Sequence, residues 1–200
     1  MSDTFVAGLI LAAGRSQRFG SENKLRILVD GVPLVRRTAK AYLSGGLDPL
    51  IVVVGFERDE VSEVLGGLPV SLVINLDFDK GQSGSLRRGL LAVPESSHAV
   101  VAGVADQPLL SAGTISDLIK TYREGFPPLV VPRYGGRRGN PALFDRSLFP
   151  EMLRVTGDQG ARPVIAAHRD EIEWLDVANP VEQVDIDTAD DYRSMPRGTF

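Results

Sequence analysis

Short, almost uninterrupted apolar runs punctuate the chain, and most are followed by a stretch whose apolar positions recur at helical spacing. Phe5–Leu11, Leu50–Val54, Val70–Ile74, Ala99–Val104, Leu129–Val131, Glu171–Val177 and Val184–Ile186 read as strands. β-Branched residues dominate them, and Gly, Pro or Asp bounds most of them. Near-continuous apolarity, in place of alternation, predicts strands covered on both faces. Between them, Val35, Ala39, Tyr42 and Leu43 fall on one helical face, as do Val61, Val64, Leu65 and Leu68. Ile115, Leu118, Ile119 and Tyr122 form a third such face, with Ser111 placed to cap its start. The β–α alternation predicts an α/β fold with a mostly parallel sheet. Right-handed crossovers then bring the strand C-termini to one edge, where such folds bind ligands.

Composition narrows the possibilities. With 200 residues, 43% hydrophobic and 24% charged, the chain matches one globular domain. That domain is expected over residues 1–195, with 196–200 as a frayed tail. A net charge of -4 argues against a nucleic-acid or anionic-membrane partner. Cysteine is absent, which removes disulfides, thiolate metal sites and a cysteine nucleophile. His98 and His168 are the only imidazoles and are expected in surface or packing roles. Phe5–Ala13 is too short to cross a bilayer, and Met1-Ser2-Asp3 lacks the basic flank of a signal peptide, so a cytoplasmic protein is expected. Phe126–Pro141 is expected to hold one strand and a long polar loop, in which Arg133, Arg137 and Arg138 are either solvated or grip an anion. Trp174 falls in a strand and is expected in the core or on a sheet face.

Candidate chemistry gathers after the first strand. Leu11-Ala12-Ala13-Gly14-Arg15-Ser16-Gln17-Arg18-Phe19-Gly20 is followed by Lys24. Small residues let the backbone turn sharply and approach a ligand, and successive N–H groups can cradle phosphate oxygens. Arg15, Arg18 and Lys24 add the charge a polyphosphate requires. The loop is neither a Walker A motif nor a GxGxxG fingerprint. Ser16 and Ser83 have no histidine near them in the sequence to activate a serine nucleophile.

Carboxylates stand where the ligand edge is expected. Asp106 follows the apolar run Val100–Ala105, and Asp185 and Asp187 close Val184-Asp185-Ile186-Asp187. On a strand, Asp185 and Asp187 would point the same way. An Asp from each of two strand ends suits Mg²⁺, which takes one or two carboxylates together with phosphate oxygens and water. Turn and cap chemistry also favours Asp at these places. Asp106-Gln107-Pro108 reads equally as a turn, and Thr188 with Asp191 resembles a capping box.

Taken together, these segments resemble the MobA-like nucleotidyltransferases, and within them the molybdenum cofactor cytidylyltransferases. The glycine loop with Lys24 carries the resemblance, joined in order by Gly81-Gln82-Ser83-Gly84-Ser85-Leu86, Asp106-Gln107-Pro108, Gly139-Asn140-Pro141, Gly157-Asp158-Gln159-Gly160-Ala161-Arg162 and Asp185-Ile186-Asp187-Thr188. The resemblance implies a three-layer α/β/α fold and transfer of a nucleotidyl group from an NTP to a phosphorylated acceptor, with release of pyrophosphate. It implies that Leu11, Ala12, Ala13, Gly14, Arg15, Lys24, Ser83, Ser85 and Asp106 bind the nucleotide, with Lys24, Arg18 and Asp106 catalytic. Asp106 and Asp187 would hold Mg²⁺, and Asn140 and Arg162 would face the acceptor. Ala13 stands where the guanylyl-transferring branch usually has Gly, which favours CTP over GTP. The implied acceptor is a phosphorylated pterin such as molybdopterin, with a molybdoenzyme receiving the product. Ala105 departs from the Gly usual before Asp-Gln-Pro, and its methyl group is expected to crowd ligand approach. Some proteins on this scaffold carry oxidoreductase roles, so NAD(P)H-dependent reduction is an alternative. A non-catalytic cofactor-binding maturation factor is another.

Overall fold

A computed structural model describes residues 4–20 and 22–196. The remainder of the expected frayed tail, residues 197–200, lies outside the described residues. The chain runs β1 (Val6–Ala12), a small hairpin of β2 (Leu28–Val29) and β3 (Val32–Pro33), then α1 (Leu34–Ser44) and β4 (Leu50–Val54). It continues through α2 (Arg58–Leu65), β5 (Val70–Ile74), α3 (Gln82–Leu91), β6 (Ala99–Val104) and α4 (Ala112–Gly125). The last part holds β7 (Leu129–Tyr134), β8 (Arg137–Arg138), β9 (Ala142–Asp145), α5 (Phe149–Met152), α6 (Arg162–Ala167), β10 (Ile172–Val177) and α7 (Ala189–Ser194).

The main sheet has the order β10-β7-β9-β6-β1-β4-β5, with β8 paired to β7. β1 runs parallel to both β4 and β6, and β9 runs antiparallel to β6 and β7. Side chains alternate across β1. Val6, Ile10 and Ala12 join the core cluster that includes Val35, Tyr42, Val61 and Leu118, from α1, α2 and α4. Ala7 and Leu9 join the opposite cluster, which includes Leu86, Met152 and Ile165 from α3, α5 and α6. Helices therefore cover both faces of a mostly parallel sheet in three layers, and the uninterrupted apolarity of β1, β4 and β6 follows from that double burial. Each fully buried Val, Leu or Ile contributes about 1.5–3 kcal/mol, which fixes the sheet centre on which the site is built. β5 departs from the expectation. It is an edge strand, with Leu72 and Ile74 at 42% and 50% exposure.

Several elements differ from the sequence reading. The first strand begins and ends one residue later than expected, and the second helix stops at Leu65, short of Leu68. The chain expected as a long loop after Leu129–Val131 instead extends β7 to Tyr134 and folds back through Gly135-Gly136 into β8. β10 starts at Ile172, because Glu171 ends a short helical turn. β9 was hidden behind Pro141, four residues long and inserted antiparallel between two strands. Val184–Ile186 is not a strand. It has no sheet neighbour; the Ile186 N–H donates to the Asp106 carbonyl at 3.0 Å, and its side chain is buried with Val29, Leu34, Leu109 and Met195. Ser111 caps α4 as expected, accepting from the Thr114 N–H at 3.1 Å.

Candidate active site

The chain passes from β1 to β4 and β5 on one side, then returns to place β6 on the other side of β1. The crevice outside the C-terminal ends of β1 and β6 is thus the switch point of the sheet, the position at which open α/β folds bind ligands. A cleft of about 1050 Å³ lies there. Leu11, Ala12, Ala13, Gly14, Arg15, Ser16, Gln17 and Arg18 line it as a continuous bend. Lys24, Ser85, Asp106 and Asp187 reach it from distant parts of the chain. A Cβ built on Gly14 would meet nothing within 4 Å, so the backbone is bare towards open space and a ligand can approach closely.

Lys24 sits at the centre of this cleft. Its Nζ donates to Asp106 Oδ2 at 2.6 Å and to Asp187 Oδ1 at 2.9 Å. Burial works against its charge, but the two carboxylates outweigh that effect and hold Lys24 above the ordinary lysine value, so it remains an ammonium. Arg18 pairs with the other Asp187 oxygen at 3.1 Å. Arg15 lies over the Phe78 ring, 5.2 Å from its centroid. The Asn23 side chain caps the short helical turn that carries Lys24, accepting from the Leu25 N–H at 3.1 Å.

The Asp106 turn is clamped by α1. Thr38 Oγ1 donates to the carbonyls of Ala105 and Gln107 at 3.0 and 3.3 Å, and Arg37 Nε donates to the Pro108 carbonyl at 2.6 Å. Asp187 is fixed by the tether at Ile186 and by the capping box of Thr188 with Asp191 that starts α7. Ala105 is 2% exposed and joins the core cluster beneath α1, while also forming part of the wall of the large cleft.

A second, smaller cavity of about 210 Å³ adjoins the cleft and shares Leu11, Gln82 and Val104 with it. Asn140, Arg162 and Arg138 line this space, as does Asp185. Asp185 and Asp187 therefore do not point the same way: one borders the small cavity and the other the large cleft. The sequence reading assumed a strand, and the tethered, helix-capping segment breaks that geometry. Asp185 is exposed at the rim of this space; the protein packed around it, together with the nearby charges of Asp106 and Asp187, pushes its pKa up to about 6, and Gln107 acts in the opposite direction.

Other expected contacts fall elsewhere. Ser83 lines neither cavity; it is buried in the first turn of α3, with its N–H donating to the Gly157 carbonyl at 3.1 Å. Arg133 lies away from both cavities, pairing with Asp176 at 2.7 Å and lying over Trp174. His168 is held between Glu171 at 2.7 Å and Glu151 at 2.9 Å, a packing role as expected. The sequence reading named Gly81 and Gln82 but missed Phe78, Asp79 and Lys80 along the cleft, and Asn75, whose Nδ2 donates to Ser85 Oγ at 2.9 Å. Asp158, expected on the acceptor side, lines the large cleft and accepts from the Gln82 N–H at 3.0 Å.

Whether a divalent ion fits can be read from the donors. Asp106 Oδ1 is buried without a hydrogen-bond partner, and the second carboxylate converges with it on a single cation, the Lys24 ammonium. Two Asp carboxylates with phosphate oxygens and water form a donor set that suits Mg²⁺. Among the described residues no group of three His, Cys, Asp or Glu could hold a metal alone, so oxygens from water or a ligand would complete the shell.

A phosphate-sized bend, a cation between two carboxylates and an adjoining second cavity at a sheet switch point define a nucleotide-handling α/β transferase. The chain belongs to the MobA-like NTP transferase domain family, which matches residues 8–172. It is 31% identical to the nicotine blue oxidoreductase of Paenarthrobacter nicotinovorans, over 92% of this chain and 93% of that one. It is 36% identical to a protein of Natronomonas pharaonis named "Probable molybdenum cofactor guanylyltransferase", over 63% of this chain and 60% of that one. The crystal structure of Rv0371c from Mycobacterium tuberculosis superposes with a TM-score of 0.84 at 29% identity, covering 95% of this chain and 96% of that one. A manganese complex of that protein superposes with a TM-score of 0.80 at 28% identity, covering 96% and 98%. No helix among the described residues is long and apolar enough to cross a membrane.

Proposed function

We propose that this nucleotidyltransferase moves a CMP group, in preference to GMP, from the NTP to a phosphorylated pterin-type acceptor. The observation that carries the reading is the convergence of Lys24, Asp106 and Asp187 in a cleft that opens directly onto a second cavity. The triphosphate lies along the bend Leu11–Arg18, and the acceptor lies against Asn140 and Arg162. Ala13, which lines the bend, supports the preference for CTP. The named relative in molybdenum cofactor guanylylation supports a pterin acceptor, and a molybdoenzyme would then take the product.

An acceptor phosphate oxygen forms a bond to the α-phosphorus, and the bond from that phosphorus to the bridging oxygen of pyrophosphate breaks in line. A phosphate monoester is already largely ionised near pH 7, so no protein base is required. Arg18 and Lys24 neutralise the phosphates, Lys24 as a mobile point charge able to exchange carboxylate for phosphate. Asp106 and Asp187 would hold Mg²⁺, which when bound supplies charge neutralisation for the leaving group. The rest is positioning. Pyrophosphate release from CTP and from GTP, each with molybdopterin and with or without Mg²⁺, tests the reading. CTP-dependent release that stops without a divalent ion is expected; absence of release with either nucleotide overturns it.

A second reading rests on the relative named nicotine blue oxidoreductase: hydride transfer from NAD(P)H, bound in the same cleft, to an organic acceptor. Loss of NAD(P)H absorbance with a dye-like acceptor would favour it. Binding without turnover in both assays would favour a non-catalytic maturation factor.

A further inference from the structure

The two edges of the sheet are built differently. β10, at one end, carries Glu173 and Asp176, charges of the kind that keep an edge strand from pairing with another chain. β5, at the other end, reads Val70-Ser71-Leu72-Val73-Ile74, with no charge and no proline, and it pairs with β4 residue for residue without a bulge. Of the seven large hydrophobic side chains exposed among the described residues, four border this edge: Leu72, Ile74, Leu76 and Leu91. Leu72 and Ile74 share the α2 side of the strand with Val70, while Val73 packs on the α3 side. Leu91, 71% exposed, lies on the face of α3 that also carries Arg88, which pairs with Asp77 just past the strand at 2.9 Å. The backbone is equally ready to pair. The Asn75 N–H donates inwards, to the Val54 carbonyl of β4 at 2.8 Å. In a ladder, successive residues turn their hydrogen-bonding groups to opposite sides, so Leu72 and Ile74 direct theirs outwards. Among the described residues no strand lies on that side.

We propose that two copies of this chain associate through β5, antiparallel about a two-fold axis at Val73, so that their sheets become one. Leu72 of each copy then stands opposite Ile74 of the other, and each such pair exchanges two N–H to C=O hydrogen bonds. The two Val73 residues face each other as a non-hydrogen-bonded pair. A two-fold axis requires a self-complementary patch, and an uncharged strand meets that requirement with no like charges opposed in the ladder. At their exposures the four aliphatic side chains present roughly 400 Å² of apolar surface, the size of a functional patch. A standard interface buries about 800 Å² on each partner, a little over half of it apolar. The patch therefore matches a second copy of this chain. Pairing also braces one wall of the large cleft, because Asn75 at the end of the strand holds Ser85, and Phe78, Asp79 and Lys80 follow it along the cleft.

Sedimentation velocity on the intact chain tests this. A two-chain particle is expected at about 100 μM, since interfaces of this size bind at micromolar or tighter. Leu72→Lys combined with Ile74→Lys sets like charges across the axis and is expected to leave only single chains at that concentration. Both side chains are already exposed, so circular dichroism should be unchanged. The chain has no cysteine, so a single introduced thiol reads the register, and it serves if the lysine variant does not fold. Under mild oxidation Val73→Cys should crosslink two chains, because directly opposed Cβ atoms lie about 4.5–5.5 Å apart. Leu72→Cys meets its counterpart only on the diagonal, at about 7–8 Å, and should crosslink at least about tenfold more slowly. A wild type that is monomeric at the same concentration, which would leave the edge to a different protein, overturns the proposal. So does a dimer that survives the two lysines in a folded variant, or crosslinking through Val73→Cys no faster than through Leu72→Cys.

Discussion

In the large cleft, Lys24 joins Asp106 to Asp187 and Arg18 leans on Asp187, so its central charges are already matched within the protein. In the small cavity beside it, Arg138, Arg162 and Asp185 line one space without pairing. The first arrangement is preorganised: it holds the carboxylates of the Asp106 turn and of the capped C-terminal segment in one place, and a ligand must exchange partners to enter. In the second the three charged side chains are exposed to solvent and make no ion pair with one another among the described residues. An enzyme that must grip a common nucleotide and choose an uncommon acceptor would place rigidity in the first cavity and selectivity in the second.

Asp106→Ala breaks the comparison on the cleft side with the largest expected effect. Divalent-dependent turnover should fall on the order of 10²–10³, by analogy with loss of one preorganised charge stabiliser. Binding of a pterin to the small cavity should be unaffected. Steady-state rates with circular dichroism as a fold control check this. Full turnover in a folded variant would remove Asp106 from the chemistry.

Lys24→Met sharpens the same side. Its ammonium and the Asp106 carboxylate are only 12% and 17% exposed, so loss of the cation leaves Asp106 largely buried without its counter-charge, while Asp187, 36% exposed, keeps Arg18. A destabilisation of about 1.5–3 kcal/mol is expected for losing charge-assisted hydrogen bonds. Mg²⁺ alone should then raise the melting temperature of the variant more than that of the wild type, because an ion that binds only the folded state stabilises it by mass action. An identical metal response in both proteins would show that the carboxylates do not share an ion.

Gly139→Ala addresses the acceptor side. A Cβ there would lie 2.2 Å from the Tyr134 ring, and the Tyr134 hydroxyl donates to the Asn140 carbonyl at 3.2 Å. Overpacking of this kind costs about 1–3 kcal/mol, and the displaced ring should carry Asn140 with it. The KM for the acceptor should rise while CTP affinity stays constant. A matching loss of CTP affinity would mean that the two cavities are not independent.

The sheet centre was legible because double burial leaves a plain signature: Leu50–Val54 and Ala99–Val104 are apolar at every position and were bounded correctly. The glycine bend and Asp106 were legible because small residues and a carboxylate at strand ends have few other reasons to recur together. Lys24 was read as a phosphate contact, but its partners lie 82 and 163 positions away, and no local pattern encodes a contact at that range. The split between Asp185 and Asp187 was invisible for a related reason. Alternation predicts facing only inside a strand, and whether Val184–Ile186 had a strand neighbour was decided by the small apolar cluster around Ile186. β9 and the hairpin at Gly135-Gly136 were lost among turn residues that mark a bend without saying whether strands flank it.

The smallest effect concerns His168, which lies at the C-terminal end of α6, the helix whose first residue is Arg162. Hydrogen bonds to Glu171 and then Glu151 raise its pKa above the ordinary 6.5, outweighing burial. A group whose pKa is raised on folding binds its proton more tightly in the folded chain, so its contribution is full below about pH 6.5 and is lost as pH climbs through the folded value. The melting temperature of His168→Gln should therefore fall furthest below wild type on the acidic side of the ordinary imidazole value and approach it as pH rises through the raised folded value. The pair is largely in reach of solvent, so the difference should be small and should shrink further in high salt. Because the anchor lies at the far end of α6, acceptor affinity in the variant should follow the same pH trend while CTP affinity does not. A pH-independent difference in melting temperature would assign His168 to packing alone and detach it from the acceptor cavity.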